Sequence, residues 1–191
     1  MKKVILSITM SLDGFIAGPN VSKETPLGVN GLSLHHWIFG GKQKADGDTL
    51  SDLVDNCGAV ITGSKTYKTA IDGAWEGESP FNVPAFILSS KPIDAVKGFD
   101  VVTDGIESAL SKAKKVAGDK NVWIMGGANV AQQYFYSNLL DEFHLHIAPV
   151  ILGSGTPLFK SDSAQNVNLK KESTIETPAA THLFFSVGDP K

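Results

Sequence analysis

The sequence has 191 residues, of which 42% are hydrophobic and 19% are charged; this composition is ordinary for a globular protein with a sizeable core. The formal net charge is −3, so no strongly basic surface indicates nucleic acid or an anionic membrane as a partner. All 17 basic residues are lysines. Anions therefore have to be held by lysine, hydroxyl or backbone N–H groups, because the planar fork of arginine is absent.

The chain begins with a basic and then apolar stretch that is too short for the core of a signal peptide, and we interpret it as a first strand over Lys3–Thr9. No apolar run approaches the length of a membrane span. Cys57 is the single cysteine, which excludes an intramolecular disulfide. We expect a cytoplasmic protein with no membrane partner, and the absence of repeats and low-complexity linkers predicts one domain over residues 1–191.

The middle of the chain alternates short apolar runs with segments of helical spacing. The predicted strands are Lys3–Thr9, Ala59–Thr62, Ala85–Leu88, Asp100–Val102, Asn121–Met125 and Glu142–Ile147. The predicted helices begin at Thr49 and cover Lys65–Ile71, Ile106–Ala117 and Ala128–Leu140. Strands that alternate with helices of this length favour crossover connections and a mostly parallel sheet.

The end of the chain has a different pattern. Leu169–Glu176 and Thr181–Val187 indicate two strands joined by a short turn, so the mixed α/β sheet should finish with an antiparallel hairpin. The longest stretch without periodicity, Pro19–Gly47, is rich in glycine and predicts a functional loop with a short helix near His35–Phe39.

Glycine and hydroxyl residues follow three of the predicted strands. The first of these turns consists of Gly63, Ser64, Lys65 and Thr66. The predicted helix starts here, and its first turn offers free backbone N–H groups to an anion. A helix cap by Ser64 or Thr66 is the simpler explanation for this turn alone. The spacing of a Walker A loop is missing.

The second and third turns have similar chemistry. Ser89 and Ser90 precede a lysine, and Gly126 and Gly127 lie between an apolar strand and a helix that starts Ala128-Asn129-Val130. The serine turn could simply be a polar turn at the end of a strand, and the paired glycines could serve tight packing. The full GxGxxG pattern is absent. Because parallel strands end at one sheet edge, the three turns together predict a nucleotide-binding enzyme.

These motifs resemble the dihydrofolate-reductase-like superfamily, and within it the riboflavin-pathway pyrimidine reductases. The resemblance covers about residues 3–187. It is carried by Ser11–Gly14, Gly63–Thr66, Leu88–Ser90, Met125–Gly127, and Asp141-Glu142 followed by Pro149–Phe159. It implies a three-layer α/β/α fold, a hydride transfer from NADPH to a small pyrimidine- or pterin-like heterocycle, and a homodimer.

The resemblance also implies roles for particular residues. The segment Ser11–Gly14 would border nicotinamide and substrate. The residues implied for the cofactor are Gly63, Ser64, Lys65, Thr66, Ser89, Ser90, Gly126, Gly127, Ala128, Asn129 and Val130. Ser11, Gly14, Trp37 and Phe39 are the candidates for the substrate side.

Several positions depart from the family pattern. The segment Leu34–Phe39 has no acid and the chain has no arginine, so folate is disfavoured as substrate. Met125 stands where riboflavin-pathway enzymes have a glutamate, Asp72 is out of register for their aspartate, and zinc-deaminase ligands are missing. These departures leave a non-catalytic nucleotide-binding or sensor domain as the alternative function.

Asp13 is the best-placed carboxylate for handling a proton, although Asp-Gly is also a common turn pair. Trp37 and Phe39 could stack on a planar ring or belong to the core. The adjacent His35 and His36 diverge on a helix, and His144 and His146 share a strand face without completing a metal site. We therefore predict no metal, and we expect the strand histidines to serve packing or a dimer interface.

Overall fold

The computed structural model describes residues 2–40, 43–159 and 166–188. The strands in these ranges are β1 (Val4–Ser11), β2 (Phe15–Ala17), β3 (Cys57–Gly63), β4 (Ala85–Leu88), β5 (Phe99–Val102), β6 (Asn121–Gly126), β7 (Glu142–Ala148), β8 (Thr156–Pro157), β9 (Leu169–Glu176) and β10 (Thr181–Val187). The helices are α1 (His36–Phe39), α2 (Lys44–Asp55), α3 (Ser64–Ala70), α4 (Ile106–Ala117) and α5 (Ala128–Tyr136), and a 3-10 helix covers Gly31–His35.

Eight of these strands form one mixed sheet in the order β5-β4-β3-β6-β1-β7-β10-β9. The pairs from β5 to β7 are parallel, and β10 pairs antiparallel with both β7 and β9. The predicted α/β class, with a mostly parallel sheet and an antiparallel C-terminal hairpin, is confirmed. The small antiparallel pair of β2 and β8 was not predicted, because two- and three-residue strands carry no periodicity.

The two faces of the sheet are covered by different helices, which gives three layers. On one face, apolar residues of the strands such as Leu6, Ile61 and Ile124 pack with α4 and α5 in a buried core. On the other face, Val60 and Ile87 pack with Tyr67 of α3. Successive side chains of a strand point to opposite faces, so each strand contributes to both layers.

The segment between β1 and β3 differs in detail from the sequence prediction. The 3-10 helix and α1 together occupy the place predicted for a short helix near His35–Phe39. Helix α2 begins at Lys44 and not at Thr49. The observed loop therefore ends earlier than the predicted one, which covered Pro19–Gly47. The first turn of α2 is polar and contains Gly47, so sequence periodicity does not record it, but its Asp46 is buried.

Among the described residues, no helix is both long and apolar enough to cross a membrane. Cys57, the first residue of β3, is buried as a free thiol. Burial raises the pKa of its thiol, which disfavours the reactive thiolate.

Candidate functional site

The carboxyl ends of three neighbouring strands bring the three predicted turns to one edge of the sheet. Gly63 at the end of β3 is in register with Leu88 at the end of β4, and Thr62 is in register with Gly126 at the end of β6. Ser89 follows β4 directly. The turns therefore converge where open α/β sheets bind their ligands.

A cavity of about 1290 Å³ opens at this edge. Its lining includes most of the residues that the sequence indicated for a cofactor or a substrate: Gly63, Ser64, Lys65, Thr66, Ser89, Ser90, Gly127, Ala128, Asn129, Val130, Trp37 and Phe39. Four predicted residues, Ser11, Asp13, Gly14 and Gly126, are not on this lining. A volume of this size exceeds that of an ordinary drug-sized pocket and leaves room for a dinucleotide together with a small substrate.

Two helix starts face this cavity with backbone groups free for a ligand. Neither α3 nor α5 receives a side-chain cap from the described residues. The caps suggested for Ser64 and Thr66 are therefore not formed, and Thr66 instead accepts a hydrogen bond from the backbone N–H of Gly127 at 3.1 Å. Uncapped N–H groups and the positive end of a helix favour a bound anion.

The paired glycines connect the two turns. The peptide bond between Gly126 and Gly127 is cis. Gly126 has a φ of +108°, a backbone conformation that residues other than glycine rarely adopt. A Cβ on Gly127 would lie 3.2 Å from Thr66 Oγ1, and one on Gly63 would lie 3.0 Å from Val130 Cγ2. The glycines thus bring the β3 and β6 turns closer together than side chains would allow.

Asp13 lies outside the cavity lining, contrary to the position expected for a proton handler. Its carboxylate accepts hydrogen bonds from the backbone N–H groups of Leu152 (3.1 Å) and Gly153 (2.7 Å). The pKa of Asp13 is lowered mainly by a hydrogen bond from the Ser11 side chain, and the hydrogen bonds from the two N–H groups lower it further. Ser11 Oγ in turn accepts from Phe15 N–H at 2.9 Å. The geometry fits an anchor for the loop after β7.

A polar row that the sequence did not identify lies on the sheet face covered by α1 and α2. Ser7 of β1, His146 of β7 and His182 of β10 point to this face from three adjacent strands. Ser7 Oγ lies 3.0 Å from His146 Nε2, and His146 Nδ1 lies 2.8 Å from His182 Nδ1. His182 Nε2 is 2.9 Å from Asp46 Oδ1 of α2. Strand alternation placed His144 and His146 on one face, but it did not reveal the partners.

Trp37 covers this row. Its ring centroid lies 4.7 Å from that of His146 and 4.9 Å from that of His182, and its Nε1–H donates to Thr9 Oγ1 at 3.1 Å. Ser7, Thr9, Trp37 and His146 line the cavity, whereas His182 is fully buried. The row therefore runs from the cavity wall into the interior.

Burial determines the charge of the histidines at the cavity. It lowers the pKa of His146 to about 3, and the neighbouring His182, His144 and His35 act in the same direction. Burial also lowers the pKa of His35, which lines the cavity, and of His144, where Glu142 partly opposes the effect. His146 is consequently neutral at ordinary pH and carries one ring proton.

We expect acidification to destabilise the folded protein through His146. An unfolded histidine takes up a proton near pH 6.5, whereas folded His146 stays neutral down to about pH 3. This group has no effect above about pH 6.5, and below it stability falls by about 1.4 kcal/mol per pH unit. Urea unfolding between about pH 7 and about pH 5 measures this slope. His146→Gln should flatten it, whereas replacing the exposed His36 by glutamine should not; an unchanged slope in His146→Gln would contradict the assignment.

A mixed sheet of this order, with a cavity at the ends of its parallel strands, defines a protein of the dihydrofolate-reductase-like class. The chain belongs to the RibD C-terminal domain family, whose profile matches residues 2–183. The resemblance inferred from the sequence motifs is thereby confirmed.

Individual proteins are similar to this chain over most of its length. The YyaP protein of Bacillus subtilis strain 168 is 27% identical over 184 residues, covering 91% of this chain and 88% of YyaP. The crystal structure of a protein assigned to riboflavin biosynthesis from Shewanella sp. PV-4 has a TM-score of 0.76 at 19% identity, covering 98% of this chain and 99% of that one.

A dihydrofolate reductase from Enterococcus faecalis, solved in complex with NADP(H) and RAB-propyl, has a TM-score of 0.64 at 15% identity and covers 97% of both chains. At these identities the two solved structures establish the common fold. The homodimer and the cytoplasmic location expected from the sequence remain predictions.

Proposed function

We propose that this protein is an NADPH-dependent reductase of a small heterocyclic substrate, related to the pyrimidine reductases of riboflavin biosynthesis. The observation that carries the proposal is the convergence of three glycine- and hydroxyl-rich turns on one large cavity. The Enterococcus dihydrofolate reductase, which has the same fold, was solved with NADP(H). Family membership supports a reductase over an unrelated nucleotide-binding protein.

The residues at the sheet edge fit a dinucleotide. The uncapped starts of α3 and α5 offer N–H groups to phosphates, and Ser64, Ser89 and Ser90 add hydroxyl donors. Gly127-Ala128-Asn129-Val130 would hold the pyrophosphate, and Lys65 would face a 2′-phosphate as a point charge. The bound cofactor would supply a hydride; the protein orients the reactants, excludes water and provides a proton.

The other wall of the cavity indicates the kind of substrate. It is formed largely by apolar and aromatic side chains, which include Val21, Pro26, Leu27, Leu32, Trp37, Ile38 and Phe39. The described lining contains one acid, Glu24, and one lysine, Lys65. With Lys65 engaged by the cofactor, this wall suits an uncharged planar ring better than a phosphorylated one.

Replacing Lys65 by glutamine should weaken NADPH binding about tenfold and leave NADH binding almost unchanged, because a single charge contact to the 2′-phosphate is lost. Fluorescence titration of both nucleotides at low and high salt measures this, and the NADPH preference should shrink as salt rises. Lys68→Gln is the matched control, since Lys68 is on the same helix and is exposed outside the cavity.

The same titration tests the proposal as a whole. If the wild-type protein binds neither nucleotide at millimolar concentration, the proposed function is wrong. NADPH oxidation at 340 nm should then be followed with 7,8-dihydrobiopterin, which is uncharged, and with 5-amino-6-(5-phosphoribosylamino)uracil, which is phosphorylated. NADPH binding without turnover of any heterocyclic carbonyl or imine would favour the non-catalytic sensor domain.

A further inference from the structure

We propose that the hydrogen-bonded chain Ser7–His146–His182–Asp46 is a proton relay that delivers a proton to the substrate from the protein interior. The inference rests on the proposed reductase function, because reduction of a C=N or C=O bond by hydride also consumes one proton. It names a proton source in a chain whose predicted proton handler, Asp13, lies outside the cavity lining.

The geometry requires one proton in each of the three contacts of the chain. Two nitrogen or oxygen atoms at 2.8 to 3.0 Å form a hydrogen bond when a single proton lies between them, since two lone pairs or two protons would repel. His146 Nδ1 and His182 Nδ1 face each other, so one ring must donate and the other must accept. The direction of this central bond therefore fixes the direction of the others.

Two proton arrangements satisfy this rule. In the first, the Ser7 hydroxyl donates to His146 Nε2, His146 Nδ1–H donates to His182 Nδ1, and His182 Nε2–H donates to the Asp46 carboxylate. In the second, the chain holds one more proton, which lies on the Asp46 carboxyl group: Asp46 Oδ1–H donates to His182 Nε2, His182 Nδ1–H donates to His146 Nδ1, His146 Nε2–H donates to Ser7 Oγ, and the Ser7 hydroxyl proton is directed to the cavity. His146 is neutral in both, in agreement with its buried position.

The two arrangements differ by the transfer of one proton. Ser7 gives its hydroxyl proton to the substrate nitrogen or oxygen that gains the electron pair of the broken π bond. Ser7 then takes the Nε2 proton of His146, His146 takes the Nδ1 proton of His182, and His182 takes the carboxyl proton of Asp46 on its Nε2. No ring accumulates charge on the way, and the relay is left in the first arrangement with the His182 Nε2–H donated to Asp46.

The surroundings fit delivery to the cavity better than simple packing. Ser7 and His146 line the cavity and are 5% and 3% exposed, whereas His182 and Asp46 are 0% and 1% exposed and do not line it. The other titratable groups near His146 are His35 of the 3-10 helix and His144 of β7, and His144 pairs with Glu142. The chain therefore meets the cavity at Ser7 and ends in the interior at Asp46, and the proton that it gives to the substrate is replaced from the cavity side between turnovers.

The first test uses NMR of protein labelled with nitrogen-15 in its five histidines and requires no substrate. At neutral pH and above, His146 should carry its proton on Nδ1 and His182 on Nε2. Acidification should add a single proton to the chain and should move the His146 proton to Nε2 and the His182 proton to Nδ1 together. A His146 that keeps one tautomer throughout, or two rings that titrate independently, would overturn the relay.

The second test measures NADPH oxidation with 7,8-dihydrobiopterin and the phosphorylated uracil as probes. Ser7→Ala and His146→Gln should lower turnover about 100-fold, a typical effect of losing a general acid. The pH profile of turnover in these variants should also lose the step that reports protonation of the chain. NADPH affinity should stay within about twofold. His144→Gln is the matched control on the same strand face and should keep wild-type turnover.

The two proposals fail in different ways. Absence of NADPH binding by the wild-type protein contradicts the reductase function, whatever the histidine tautomers are. NADPH binding with wild-type turnover and pH dependence in Ser7→Ala and His146→Gln contradicts the relay alone. If neither probe is turned over, the tautomers of the first test decide whether the relay arrangement exists.

Discussion

Replacing Asp46 by leucine should destabilise the folded protein by about 3 kcal/mol, because His182 would be left with an unpaired polar nitrogen in the interior. Both side chains of this pair are fully buried, and their atoms lie 2.9 Å apart. Urea unfolding followed by circular dichroism at neutral pH measures the loss. Asp46→Asn keeps a side-chain oxygen at the same position and should cost about 1 kcal/mol.

Asp48 provides the matched control on the same helix. Its carboxylate is exposed and pairs with Lys44 at the surface, so Asp48→Leu should leave the unfolding midpoint essentially unchanged. The double variant Asp46→Leu, His182→Phe should be less destabilised than the sum of the single variants, since both partners are removed together. Additive losses would show that the Asp46–His182 contact does not stabilise the fold.

The order of the elements was predictable from the sequence because each central strand is an apolar run and each helix has a periodic face. Ala85–Leu88, Ile106–Ala117 and Leu169–Glu176 have the predicted bounds. The sequence predicts that α5 ends at Leu140, whereas the helix ends at Tyr136. The difference arises because Leu139 and Leu140 continue the apolar pattern after the helix has ended. Periodicity records burial, and a buried residue need not be helical.

The cavity edge was predictable for a different reason. Glycine and hydroxyl residues directly after strands mark the ends of parallel strands, and topology then brings those ends together. The polar row could not be found in this way, because Ser7, Asp46, His146 and His182 are far apart in sequence and each is unremarkable alone. Their pairing depends on the register of β1, β7 and β10. Asp46 is also hidden in a polar helix turn that carries no apolar signal.

Gly63→Ala should lower NADPH affinity about 100-fold, which is about 2.7 kcal/mol, in a protein that still folds. Gly63 lines the cavity at the end of β3, and its φ of −86° is compatible with any residue, so backbone strain is not the reason. The added Cβ would lie 3.0 Å from Val130 Cγ2 and 3.9 Å from Gly127 N. It would therefore push the β3 turn away from the start of α5, between which the phosphates are proposed to lie.

The competing explanation is that Gly63 serves packing alone. The control variant Gly98→Ala distinguishes a packing role from a role in cofactor binding. An added Cβ on Gly98 would also lie 3.0 Å from a side-chain atom, Ser79 Cβ, and its φ of +96° adds strain. Gly98 precedes β5 at the opposite end of the strands from the cavity. Gly98→Ala should thus lose at least as much stability as Gly63→Ala and keep wild-type NADPH affinity, as measured by urea unfolding and fluorescence titration. If affinity falls in proportion to stability in both variants, the glycine is a packing residue and the close approach of a nucleotide to β3 is excluded.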